Sequence, residues 1–255
     1  MSIAIDLKSK IALVTGATGE MGRTIAKTLA AAGADVAIHY HSSEEKATKL
    51  LQEVKAAGVR ADIFQADITQ PDSVNRMRQA VEDKLGNPDI LVNNAVTLYD
   101  WKPVLEQKPE DYESQFRSNV LQNVLMAQAF VPSMIRRKWG RIIAINTECV
   151  MQCAPTASAY VSGKRGMDGV LRVLAREVGE HQITVNQVAP GWTITDRIRA
   201  AGVPAHHPYD NTVALRRRGE DKDIANAIIF LASDLARFIT GAIIPVCGGS
   251  IMPAI

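Results

Sequence analysis

Tyr160 and Lys164 stand four residues apart in Tyr160-Val161-Ser162-Gly163-Lys164, a spacing that puts a phenol and an ammonium on one face of a helix. A cation beside a phenol favours the phenolate and draws its pKa down from about 10. Such a Tyr can serve as a proton donor or acceptor beside a carbonyl. Alone, the pair reads better as a packed Tyr and a solvated Lys. The context upstream gives it weight.

Residues 10–14 (Lys-Ile-Ala-Leu-Val) read as a short buried strand and 23–32 as a helix closed by Gly33. Between them runs Thr15-Gly16-Ala17-Thr18-Gly19-Glu20-Met21-Gly22. Glycines there let backbone approach a pyrophosphate, and the free N–H groups of the following helix start favour an anion. A second apolar strand at 35–40 completes the βαβ context of a dinucleotide site.

With Asp67-Ile68, Asn93-Asn94-Ala95, Asn119, Pro190-Gly191 and Gly248-Gly249 following in order, the chain resembles the short-chain dehydrogenase/reductases over nearly its whole length. The likeness is to the compact form that includes 3-oxoacyl-(acyl carrier protein) reductases. It implies an NAD(P)(H)-dependent oxidoreductase that interconverts a ketone and a secondary alcohol. Tyr160 would be the proton donor in reduction, and Lys164 would lower its pKa and bond the nicotinamide ribose. Thr147, thirteen residues before Tyr160, would hold the carbonyl oxygen, and Asn119 would anchor a proton-relay water. The implied cofactor contacts are Gly16, Thr18, Gly19, Met21 and Gly22, then Tyr40, His41 and Ser42, then Asp67 and Ile68. Asn94, Ala95, Tyr160, Lys164, Pro190, Gly191, Thr193 and Thr195 complete the set.

Departures from the family pattern are specific. Glu20 stands where compact members usually have glycine, and Gly16, Gly19 and Gly22 follow the spacing of the larger epimerase-like branch. A carboxylate facing a pyrophosphate would repel it, so Glu20 is expected to point outward and pair with Arg23. Thr147 replaces the usual serine; its methyl restricts the rotamer while the hydroxyl remains. Glu148 is expected in solvent, with a pocket-lining position as the alternative. Val96 replaces a glycine. At the end of the second strand Tyr40, not an acid, occupies the position that reads the adenosine ribose. Ser42 and Glu45 form a capping-box pattern, which favours NADP(H); Glu44, Glu45 and the lack of an Arg keep NAD(H) open.

Further strands are expected at 61–65, 90–93, 141–146, 183–188 and 242–246, and helices at 43–57, 72–85, 109–137, 156–178 and 222–231. This alternation predicts an α/β protein with a Rossmann-type, doubly wound parallel sheet of about seven strands, helices on both faces, and ligands at the carboxyl ends of the strands. One domain over 1–255 is expected, with a substrate lid at about 193–215.

With 47% hydrophobic residues, 29 basic against 27 acidic, and 255 residues in all, the composition suits one large core. Near-neutral charge points to neither nucleic acid nor membrane. No apolar run nears the roughly 20 residues needed to span a bilayer, and the opening residues lack a basic segment before an apolar core, so a cytoplasmic location is expected. Three cysteines and the His206-His207 pair offer neither a disulfide framework nor a metal ligand set. The expected partners are a small carbonyl or alcohol substrate and further copies of the chain, as a homotetramer or homodimer. Two other readings stay open: a nucleotide-binding protein without catalysis, and a lyase or epimerase that retains its nicotinamide.

Overall fold

The computed structural model describes residues 5–204 and 207–253; His206 lies outside the described residues. In chain order the elements are β1 (Ile11–Val14), α1 (Glu20–Ala31), β2 (Asp35–Tyr40), α2 (Glu44–Lys55), β3 (Ala61–Gln65), α3 (Pro71–Lys84) and β4 (Ile90–Asn93). After these come α4 (Pro109–Gln115), α5 (Gln122–Arg137), β5 (Gly140–Ile145), α6 (Cys149–Gln152), α7 (Ser158–Val178) and β6 (Ile183–Pro190). The last are β7 (Thr193–Ile194), α8 (Asp196–Ala200), β8 (Gly219–Glu220), α9 (Asp221–Ala232) and β9 (Ile243–Val246).

Seven parallel strands form one sheet in the order β3-β2-β1-β4-β5-β6-β9. Strand alternation splits the core. Val14, Ile38, Ile143 and Val188 face Ile25 and Leu29 of α1, Leu50 of α2 and Ile228 of α9. Leu13, Leu91 and Ile142 face Met77 of α3, Phe130 and Met134 of α5 and Leu171 of α7. Because both faces are covered, strands read as continuous apolar runs. The order reverses between β1 and β4, and a crevice opens there at the carboxyl ends of the strands.

The helix expected over 109–137 is interrupted. Residues 116–121 form a π-helical turn between α4 and α5. Its cause is in the side chains: the amides of Asn119, Gln122 and Asn123 donate to the carbonyls of Gln115, Ser118 and Asn119, four residues back in each case. Amides competing for these acceptors loosen the regular ladder. The irregular stretch expected after Thr193 contains short elements, with β7 paired in parallel to β8 and α8 beside them. The Arg216-Arg217-Arg218 run is split: Arg218 is buried and paired with Asp210 at 3.2 Å, while Arg217 pairs with Asp223 at 3.1 Å.

Asp221 clasps three helices. It is buried at the start of α9, accepts from the Thr24 hydroxyl of α1 at 2.7 Å and pairs with Arg199 of α8 at 2.6 Å. Burial pushes its carboxyl up, but bonds from Arg199 and Thr24 outweigh that and hold it below its ordinary value. A depressed carboxyl stabilises the fold above its unfolded pKa of about 4 and loses that contribution as pH falls through the folded value. Asp221→Asn is therefore expected to cost about 1–3 kcal/mol at pH 7 and to flatten the acid limb of a thermal-unfolding profile; an unchanged melting curve would contradict the clasp.

Candidate active site

Thr15 and Asn94 build the crevice. The Thr15 hydroxyl accepts from the N–H groups of Asn94 and Ala95 at 2.9 and 3.1 Å, and the Asn94 amide donates to the carbonyls of Thr15 and Gly16 at 3.0 and 3.1 Å. The loop after β1 is thereby fixed to the loop after β4. Gly16 sits at φ +59°, a conformation that disfavours any side chain. Its N–H donates to Nδ1 of His39 at 2.9 Å, while Nε2 of His39 bonds the Ala66 carbonyl at 3.0 Å. His39 is the functional residue that pattern reading missed. Its signal was a lone imidazole inside an otherwise apolar strand.

A cavity of about 900 Å³ runs along these carboxyl ends. Of the residues assigned to the cofactor, Gly16, Thr18, Gly19, Met21 and Gly22 line it at the first turn, and His41, Ser42, Asp67 and Ile68 beyond β2 and β3. Asn94 and Ala95 line its middle; Tyr160, Lys164, Pro190, Gly191, Thr193 and Thr195 line the other end with Thr147. Tyr40 does not. It is buried on the same face of β2 as Val36 and Ile38, and the chain reaches the cavity only at His41. Ser42 is not the helix cap either: α2 starts at Glu44 after Ser43, with no side-chain cap. Neither Glu44 nor Glu45 borders this cavity.

Helix α1 begins three residues earlier than its apolar pattern, and no side chain caps it at Gly19. Its first N–H groups are available to an anion, so the loop fits the pyrophosphate of a dinucleotide. Glu20 does not pair with Arg23. Its carboxylate accepts from the Arg197 N–H at 3.1 Å, and Arg23 pairs with Asp196 at 2.6 Å. Glu20 does not point outward either: it lines the cavity, with its carboxylate held by the start of α8. Arg197 lines the cavity and was also missed.

Three polar side chains meet at the end of β5. Tyr160 and Lys164 lie one turn apart on α7, and Lys164 Nζ donates to the Ile145 carbonyl at 2.5 Å. The Thr147 hydroxyl accepts from the Cys149 N–H at 3.2 Å, which orients it and leaves its hydrogen free to donate. The expected electrostatics are reversed. Burial pushes Tyr160 up to about 12, the nearby Cys149 adding to this and the Thr147 hydroxyl opposing it. Burial alone takes Lys164 down to about 7. In so dry a place the lysine loses much of the charge with which it was to stabilise the phenolate.

Asn119 is buried but not on the cavity wall; its amide is spent on Gln115 in the π turn. Its neighbours reach the site instead. Gln115 and Gln122 donate to the Thr97 and Ala95 carbonyls, each at 2.8 Å, and so hold the loop that carries Val96. Glu148 is neither solvated nor on the wall: it is buried and accepts from the Tyr209 hydroxyl at 2.9 Å.

This fold and site are those of an oxidoreductase class. The family model described as Enoyl-(Acyl carrier protein) reductase matches residues 16–250, and the chain belongs to the short-chain dehydrogenase/reductase family. It is 37% identical over 244 residues, 96% of this chain and 100% of the relative, to the 3-oxoacyl-(acyl-carrier-protein) reductase FabG of Staphylococcus epidermidis. Among solved structures it is similar to the promiscuous reductase LugOII, which catalyses keto-reduction at C1 during lugdunomycin biosynthesis (TM-score 0.87, 31% identity, 96% of this chain and 99% of that one). It is also similar to acetoin dehydrogenase YohF of Salmonella typhimurium (TM-score 0.84, 30% identity, 94% and 96%). No helix among the described residues is long and apolar enough to cross a membrane.

His39 gives a pH prediction. Burial lowers it to about 4 from about 6.5 in the unfolded chain, so between these values the unfolded state binds more protons and stability rises with pH. The chain should lose on the order of 3 kcal/mol from this group as pH falls from 7 to 4. His39→Leu should remove that dependence, leave the Gly16 N–H unpaired, and weaken dinucleotide binding about tenfold. Urea titrations at pH 7 and 5 with equal differences for parent and variant would refute it.

Proposed function

We propose that this protein reduces a ketone to a secondary alcohol, or runs the reverse, with a nicotinamide dinucleotide. The observation that carries the reading is the convergence of Tyr160, Thr147 and Lys164 on one end of a cavity whose other end is an uncapped helix start. The bound nicotinamide supplies hydride chemistry; the chain positions the substrate and handles the proton. The Thr147 hydroxyl donates to the carbonyl oxygen, and Tyr160 gives the same oxygen its proton. A phenol held near 12 is protonated throughout the working range and ready as an acid. Lys164, half-charged near neutrality, stabilises the phenolate left behind. Asn119 acts as a positioning residue through the π turn, and segment 193–215 closes the site as a lid.

NADP(H) is the preferred cofactor in this reading, with NAD(H) as the alternative. His41 and Ser42 border the cavity beyond β2, and the carboxylates on its wall, Glu20 and Asp67, come from other segments, so nothing from this strand end repels a 2′-phosphate. Asp67, the acid nearby, is engaged with the N–H and hydroxyl of Thr69 at 2.9 and 2.7 Å. Half-exposed Phe116 and Val173, on the π turn and α7, support assembly into a dimer or tetramer through this helical layer. Light scattering at micromolar concentration is expected to give a tetramer; a monomer would overturn this.

Tyr160→Phe should lower kcat 10²- to 10⁴-fold with the fold intact, as loss of a positioned acid does; turnover within about threefold of the parent would remove Tyr160 from the reaction. Thr147→Val should cost on the order of 2 kcal/mol in kcat, while Thr147→Ser keeps the donor and retains activity. Equal rates for the two variants would make Thr147 a packing residue. In the reductive direction kcat/KM should fall as pH rises through about 7, where Lys164 discharges, and Lys164→Arg should move that limb upward.

A further inference from the structure

We propose that the carbonyl substrate is a flat aryl ketone, held between two walls of aromatic side chains that flank the reaction centre. This rests on the ketone-reducing reading above and names its substrate class. The chain has three Trp and five Tyr. Trp139 is stacked beneath Lys10 and Arg141, Tyr40 is buried, and Tyr112 is bonded to Ser158. The other five form two groups, one around Tyr160 and one bonded to Glu148, and of them Tyr160 alone lines the cavity. β4 and β6 are the neighbours of β5 in the sheet, so the segments that follow them stand on either side of Thr147.

The first wall follows β4. Tyr99 and Trp101 have ring centres 6.4 Å apart, and Trp101 lies 5.7 Å from the ring of Tyr160. The Tyr99 hydroxyl accepts from the Tyr160 N–H at 2.8 Å, which ties the wall to the proton donor. The second wall follows β6. Trp192 packs against His207 at 4.2 Å and against Tyr209 at 5.8 Å. The Tyr209 hydroxyl accepts from the Trp192 N–H at 3.1 Å and donates to Glu148, next to Thr147 in the chain. A Cβ at Gly191 would collide with that hydroxyl, so the glycine on the cavity wall makes the arrangement possible.

Trp101 and Trp192 nevertheless keep 47% of their surface exposed. Large aromatic faces left open beside a reaction centre are surfaces for a ligand, and offset or tilted ring pairs favour another aromatic plane over a flexible alkyl chain.

The test measures kcat/KM of the full chain with NADPH and NADH on 2-acetylnaphthalene, 2-octanone and an acetoacetyl thioester of N-acetylcysteamine. The aryl ketone is expected to lead by at least tenfold. Trp101→Leu and Trp192→Leu should each reduce its advantage over 2-octanone at least fivefold, and Trp101→Phe, which keeps a ring, should retain most of it; thermal unfolding of each variant identifies any that misfold. Equal or better rates on 2-octanone or the thioester overturn the aryl-ketone assignment while leaving the reaction class standing. No turnover of any carbonyl overturns the reaction class and this inference with it.

Discussion

Asn94 and Thr15 close the point at which the sheet reverses, and the site depends on that closure. Neighbouring parallel strands β1 and β4 send their chains to opposite sides of the sheet, so the loops that follow diverge and leave their polar backbone groups exposed in a crevice. The Asn94 amide and the Thr15 hydroxyl satisfy those groups across the gap. His39 does the same from the next strand, taking the Gly16 N–H. Three strands thereby hold one glycine turn, and the uncapped start of α1 points into a wall that costs little to rearrange on binding because it is already ordered.

At the other end of the cavity burial dominates charge. A lysine and a tyrosine placed together in water would behave as an ion pair in waiting. Here both lose water, and each moves toward its neutral form, Lys164 down to about 7 and Tyr160 up to about 12. The balance suits an acid that must hold its proton until an oxygen develops negative charge beside it. The polar residues around Asn119 solve a different problem. A regular helix would continue from α4 into α5; the π turn instead spends side-chain amides on backbone carbonyls, and Gln115 and Gln122 also fasten the loop that carries Val96.

The alternation of apolar runs made the strands legible because a doubly covered sheet buries both faces, and β2, β3 and β4 fall where periodicity puts them. Helix starts were less legible: α1 begins on Glu20, ahead of its apolar stripe, with no side chain at Gly19 to mark the cap. Motif order picked out Thr147, Tyr160 and Lys164, which the fold brings to one cavity. Their electrostatics could not be read that way, since burial of Lys164 follows from packing between α7 and β5. His39 was hidden for the same reason, its contacts lying across strands with no local spacing to betray them. Tyr40 was misplaced by one residue of strand alternation, which is enough to move a side chain to the other face.

The two carboxylates that stand out against the family pattern share one physical role. Glu20, beside the phosphate turn, accepts from the backbone of α8, and Glu148, beside Thr147, accepts from Tyr209. Glu20 lines the cavity and Glu148 is buried behind it, and each accepts from a donor of segment 193–215. Arg23 with Asp196 and Asp221 with Arg199 add two further ties to the same segment. A carboxylate near the cofactor is tolerable only when its charge is answered elsewhere, and here the answering groups all belong to the segment proposed to cover the substrate. The Arg197 N–H and the Tyr209 hydroxyl therefore hold both carboxylates through one stretch of chain, and displacing either donor would leave its acid without that partner.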